Sequence, residues 1–95
     1  MINITGSVAI ITGAAGNLGH ATAQTFREAG ARLVLIDRSI ERLRKKYPDL
    51  TNSSDHFLVG DVDLTDPAAF DRVTQDTVDR FGRLDVLINT VGGLP

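Results

Sequence analysis

The sequence predicts an α/β domain: four parallel strands of a doubly wound sheet, alternating with helices in the order βαβαβαβ. Three observations predict it. Short apolar runs recur along the chain, each ending at glycine, aspartate or asparagine. Between them the apolar residues fall at helical spacing. The stretch after the first run is rich in glycine, which suits a tight strand-to-helix turn.

The first strand is Val8, Ala9, Ile10 and Ile11, a β-branched-rich run closed by Thr12 and Gly13. From Leu18 the period changes. Leu18, Ala21, Thr25, Phe26 and Ala29 fall on one face of a helix, and Gly30 stops it. Leu33, Val34, Leu35 and Ile36 form a second strand that ends at Asp37. Ile40, Leu43 and Tyr47 mark a short second helix closed by Pro48, and residues 49–54 read as a polar loop. The third strand is His56 to Val59 in numbering, followed by Gly60, Asp61 and Val62. Asp66 and Pro67 are a strong helix start, because Asp caps free amides and Pro suits the first helical position. Phe70, Val73, Thr77 and Phe81 are the expected inner face of that third helix, with Gly82 at its end. Residues 84–88 form the fourth strand, which runs into Asn89, Thr90, Val91, Gly92 and Gly93. Continuous apolar strands are expected to be buried on both faces, as in a parallel sheet covered by helices on each side.

The bulk composition narrows the function classes. Ninety-five residues suit one small domain or part of a larger one. The net charge of -2, with acids and bases interspersed, argues against a nucleic-acid surface. The basic cluster Arg42, Arg44, Lys45 and Lys46 reads as a solvated helix face. With no cysteine, thiolate chemistry, disulfides and Cys-based metal sites are excluded, and His20 and His56 are isolated from one another. The beginning of the sequence lacks the pattern of a secretory signal, and no apolar run is long enough to cross a membrane, so a cytoplasmic location is expected.

The chemistry concentrates in Thr12-Gly13-Ala14-Ala15-Gly16-Asn17-Leu18-Gly19. In this setting the first glycine lets the chain turn sharply off the strand. The second lets backbone amides approach a pyrophosphate, and the third lets helix and strand pack closely. The helix start then presents free N–H groups and a partial positive charge to phosphates. A Walker-type phosphate loop is excluded, since His20 follows Gly19 where a lysine would stand. Asp37 follows Gly16 by 21 positions and is expected to accept from both hydroxyls of an adenosine ribose. Its charge would repel a 2′-phosphate, which favours NAD. Arg38, directly after it, offers a guanidinium to such a phosphate and leaves NADP open. Asp61, at the end of the third strand, is placed to accept from the adenine amino group, with the Val62 amide beside it. These features describe residues 1–95 as part of one Rossmann-type NAD(P)-binding domain.

The same residues resemble the N-terminal part of the short-chain dehydrogenase/reductase family. The resemblance spans nearly the whole chain and rests on the glycine turn, Asp37, Gly60-Asp61-Val62 and Phe81-Gly82-Arg83-Leu84-Asp85-Val86-Leu87-Ile88-Asn89. It implies an oxidoreductase that interconverts an alcohol and a carbonyl by hydride transfer, in a full-length form that assembles as a homo-oligomer. Residue by residue, it implies pyrophosphate binding by Thr12, Gly13, Gly16, Asn17, Leu18 and Gly19, ribose binding by Asp37 and adenine binding by Asp61 and Val62. Asn89 would brace the sheet centre, and the backbone at Val91 and Gly92 would pass close to the cofactor ribose. The sequence departs from the family pattern in two places. The middle glycine comes one residue early, at Gly16 with Asn17 after it, and Thr90 and Val91 replace the usual Asn and Ala. The family's catalytic Ser and Tyr-x-x-x-Lys are not matched. Tyr47, the sole tyrosine, has Thr51 four positions on and reads as a packing residue. The chain is accordingly expected to hold no catalytic residue and to end before the catalytic half, so that turnover would need sequence past Pro95.

Two other readings share the fold. A non-catalytic nucleotide-binding or sensor module would be stable and soluble alone, whereas the truncated enzyme would leave its fourth strand with an open apolar edge. A methyltransferase using S-adenosylmethionine fits the fold class but not the glycine spacing with Thr12 in front.

Overall fold

The computed structural model describes residues 3–91. It contains β1 (Val8–Thr12), α1 (Asn17–Glu28), β2 (Arg32–Ile36), α2 (Ile40–Lys46), a 3₁₀ turn (Pro48–Leu50), β3 (Phe57–Val59), α3 (Pro67–Phe81) and β4 (Val86–Asn89). The expected βαβαβαβ order is present. The sheet is parallel throughout, in the spatial order β3-β2-β1-β4. Thr12 lies level with Ile36 on one side and Asn89 on the other. The chain thus steps outward from β1 to β2 to β3, then returns across the sheet to pair β4 with β1.

Strand alternation divides the core in two. Ala9 and Ile11 with Leu33 and Leu35 face α1 and α2, where Ala23, Leu43, Tyr47 and Leu50 cover them. Val8 and Ile10 with Val34 and Ile36 face the other way, onto Val73 of α3 and the partly buried Phe57, Phe81 and Leu84. Both faces of β1 and β2 are therefore covered, which is why those strands read as unbroken apolar runs. β3 and β4 are only half-buried, contrary to the expectation that every strand would be covered on both faces. They lie at the two edges of the sheet, and Leu87 of β4 is 50% exposed. Both also start later than their apolar runs suggest, at Phe57 and Val86.

The helix termini follow their residues. Asp66 caps α3 by accepting the Ala68 N–H at 3.0 Å, Pro67 follows, and Gly82 ends the helix with φ +78°. Ser39 caps α2 by accepting the Arg42 N–H, and its last turn carries Arg44, Lys45 and Lys46 in solvent, where cations suit the helix dipole. Ala69, Val73 and Thr77 form the buried stripe of α3, flanked by the half-buried Phe70 and Phe81.

In α1 only Phe26 of the expected inner face packs against the core. Leu18, Ala21, Thr25 and Ala29 are exposed, and the buried side holds Gly19 and Ala23 with Phe26 beside them. The cause is distance. A Cβ on Gly19 would stand 2.7 Å from the Gly13 carbonyl carbon and 2.9 Å from Ala14 Cα. The helix lies so close to the β1 turn at this point that no side chain fits at position 19, and Leu18 is exposed. A second correction concerns residues 49–54, read as a polar loop: the 3₁₀ turn there buries Leu50 against α1 and α2.

His56 also departs from its strand assignment. Its ring Nδ1 accepts the Leu33 N–H at 3.0 Å. This bond needs an unprotonated Nδ1. Burial, then the Arg27 charge, lower the His56 pKa from its ordinary value.

Gly19→Ala is expected to destabilise the fold by about 3 kcal/mol, in the upper range for overpacking, as measured by urea unfolding. The His56 shift sets a pH dependence. As pH falls, the unfolded chain takes the proton first, so stability is full above about pH 6.5 and is lost from there down towards the lower folded-state value. The thermal midpoint should fall over that window, and His56→Gln should remove that part of the fall.

Candidate cofactor site

The sheet order places a switch point between β1 and β4, where the chain reverses its direction of travel across the sheet. Open parallel sheets take their ligands in the crevice beyond the strand ends at that point. Here the crevice is a groove of about 340 Å³. Thr12 and Gly13 end β1 at its floor, Asn89 and Val91 come from β4, and Asp37 and Arg38 come from β2. Its wall across from the glycine turn is formed by Val62, Leu64 and Phe70.

The floor is cross-linked by hydrogen bonds. The Thr12 hydroxyl donates to Asn89 Oδ1 at 2.6 Å, and the same oxygen accepts the Val91 N–H at 3.1 Å. The Thr90 hydroxyl donates to the Thr12 carbonyl at 2.6 Å, and the Thr90 N–H donates to Thr12 Oγ1 at 3.2 Å. These bonds hold the end of β4 against the end of β1, just below the glycine turn.

The turn is shaped by backbone constraints. Gly13 has φ +63°, and a Cβ there would stand 2.7 Å from both Thr90 Oγ1 and Val91 Cγ2. Gly16 is the N-cap of α1 and provides no side-chain cap, and no acidic residue lies in the first turn. The helices that start elsewhere are capped by Ser39 and Asp66. The amides of Asn17, Leu18 and Gly19, unsatisfied within any α-helix's first turn, therefore remain available to an outside acceptor. Leu18 stands beside them with 67% of its surface exposed.

Asp37 is 7% exposed at the end of β2. Its Oδ1 accepts the Ala15 N–H at 3.3 Å, its Oδ2 accepts the Ser39 N–H at 3.2 Å, and the Arg42 guanidinium stands 3.6 Å away. One carboxylate thus ties the glycine turn to the start of α2. Arg38 points into solvent and pairs at 3.6 Å with Asp63. Asp61 lies apart from the groove. It is exposed, has φ +58°, and accepts the Ile40 N–H at 3.3 Å. Val62 reaches the groove wall. Gly92 lies outside the described residues.

Tyr47 contributes to the site, though the sequence marks it only as packing. Its ring is 1% exposed beneath the glycine turn, and its hydroxyl donates to the Ala14 carbonyl at 2.7 Å. Burial and the nearby Asp37 charge push its pKa up to about 12, so it remains protonated at neutral pH. Asp63, Leu64, Thr65, Phe70 and Leu87 are the other lining residues not singled out as site residues beforehand. Phe70 was assigned to the core, and a residue at a helix start can serve both.

A doubly wound parallel sheet with a glycine turn and uncapped helix start at its switch point defines a Rossmann-type domain. A family profile described as short chain dehydrogenase matches residues 7–95, and the chain belongs to that family. Among its relatives is a 1,6-dihydroxycyclohexa-2,4-diene-1-carboxylate dehydrogenase of Pseudomonas putida, 42% identical over 93% of this chain and 32% of that protein. Another is a (2S)-[(R)-hydroxy(phenyl)methyl]succinyl-CoA dehydrogenase subunit of Thauera aromatica, 35% identical over 96% of this chain and 37% of that protein. The crystal structure of a short chain dehydrogenase/reductase from Burkholderia phymatum in complex with NAD superimposes with a TM-score of 0.81 at 27% identity, over 92% of this chain and 31% of that one. The chain therefore spans about a third of the length of these relatives.

Proposed function

We propose that this chain forms the dinucleotide-binding portion of an NAD(P)-dependent oxidoreductase that interconverts an alcohol and a carbonyl, with NAD preferred. The observation that carries the reading is the uncapped start of α1 after the glycine turn, whose Gly13 lines the β1–β4 crevice together with the Asp37 carboxylate of the neighbouring strand. The residues present fit the cofactor. The free amides of Asn17, Leu18 and Gly19 suit a pyrophosphate. A carboxylate has about four acceptor sites, and Asp37 uses two on backbone amides, which leaves two for ribose hydroxyls. Val62, Leu64 and Phe70 offer an apolar wall for the adenine ring, while Asp61 lies farther out for its amino group. When bound, the nicotinamide supplies the hydride donor or acceptor of the reaction.

The proton of that reaction is assigned to residues outside this chain. Tyr47 is buried, engaged to a carbonyl and held protonated, so it has neither access nor a suitable pKa for general acid–base work. Two neighbours are described with bound nicotinamide cofactors: the Burkholderia enzyme with NAD and a 3-ketoacyl-(acyl-carrier-protein) reductase of Brucella melitensis with NADH.

Calorimetric titration tests the reading. NAD should bind more tightly than NADP, and S-adenosylmethionine should not compete with either. Asp37→Ala removes the charge facing a 2′-phosphate and should shrink the NAD preference by about tenfold, or ~1.4 kcal/mol. Equal affinity of the parent for S-adenosylmethionine and NAD would sink the assignment.

A further inference from the structure

The amide bond between Ala14 and Ala15 is held at both ends. Its carbonyl accepts the Tyr47 hydroxyl at 2.7 Å, and its N–H donates to Asp37 Oδ1 at 3.3 Å. Both bonds are buried. The flanking amides are also used internally: Ala14 N–H donates to the Ile36 carbonyl at 3.0 Å, and Gly16 N–H to the Gly13 carbonyl at 3.0 Å. The last peptides before α1 are therefore fixed in orientation, and the first amides left for an outside acceptor are those of Asn17, Leu18 and Gly19.

Tyr47 reaches this peptide from the C-cap of α2, a contact that neither the turn nor α1 supplies by itself. The Tyr47 side chain is itself held in place. The His20 ring packs against it at 5.3 Å between centroids with a tilt of 58°, and Gln24 Nε2 lies 3.0 Å from His20 Nε2. Asp37 is a carboxylate that a ribose would also engage, but Tyr47 has no surface with which to touch any ligand. Its effect on binding must pass through the backbone it holds.

We infer that Tyr47 is a positioning residue for pyrophosphate binding: its hydroxyl locks the Ala14–Ala15 peptide so that the α1 amides stand preset for the phosphates. The raised pKa agrees with this role, since the hydroxyl stays a donor throughout the neutral range. The inference rests on the dinucleotide-binding reading above.

Tyr47→Phe keeps the ring and deletes the bond. Three ligands, NAD, ADP and adenosine, are titrated into the parent protein and the variant, and hydrogen exchange is followed at the Ala15 amide. The dissociation constants for NAD and ADP should rise about fivefold, within the range of one neutral hydrogen bond. Adenosine lacks the pyrophosphate, and its affinity should change by less than about twofold on the same scale. The Ala15 amide should exchange faster in the variant, while amides of β1 and β2 keep their protection. Unchanged NAD affinity in the variant would overturn the inference, and so would an equal loss for adenosine, which would mark Tyr47 as structural only. Unchanged Ala15 exchange would overturn it whatever the affinities. A parent protein that binds none of the three ligands contradicts the dinucleotide reading itself, a result distinct from all of these.

Discussion

The close approach of α1 to the turn after β1 sets the rest of the structure. Gly19 brings the helix backbone to within van der Waals range of Gly13 and Ala14. The N-cap of the helix, Gly16, comes three residues after Gly13, which lines the crevice beyond the ends of β1 and β4. The contact requires glycine at position 19, while Leu18 beside it is exposed. Dispersion and sterics act here over a few ångströms, and one added methyl group has nowhere to go.

Around that contact the polar groups divide into two sets. One set is consumed in building the turn: Thr12 with Asn89 and Thr90 beneath it, Tyr47 and Asp37 on the peptide between Ala14 and Ala15. The other set is left unspent, namely the first amides of α1 and the remaining acceptor sites of Asp37. No buried side-chain polar atom among the described residues lacks a partner, and Asp37 belongs to both sets. On the proposed reading, rigidity in the first set leaves the second set pre-arranged, which lowers the ordering cost of binding.

Much of this was legible beforehand. The strands of the sheet centre read clearly because double-sided burial leaves no polar alternation, and Asp66, Pro67 and Gly82 each have one strong local preference. The glycine spacing and Asp37 pointed to the crevice because they answer steric and hydrogen-bonding needs tied to position. The face of α1 was misread, Phe26 apart, because counting apolar residues assumes that burial selects for size, whereas at Gly19 it selects for smallness. Leu50 was missed since a single apolar residue in a polar stretch has no periodicity. The partners of Tyr47 and His56 lie 33 and 23 positions away, and no local pattern specifies such contacts. Pro48 directly after Tyr47 was a signal that the helix must end there, with the ring free to turn inward.

The central claim is that the uncapped start of α1 receives the dinucleotide phosphates. Backbone amide chemical shifts, recorded while NAD is added to the isotope-labelled protein, test it most directly. The account predicts that the Asn17, Leu18 and Gly19 amides move most, with the Asp37 amide following and those at the far end of α3 unmoved. Saturable NAD binding that leaves those three amides in place would contradict it.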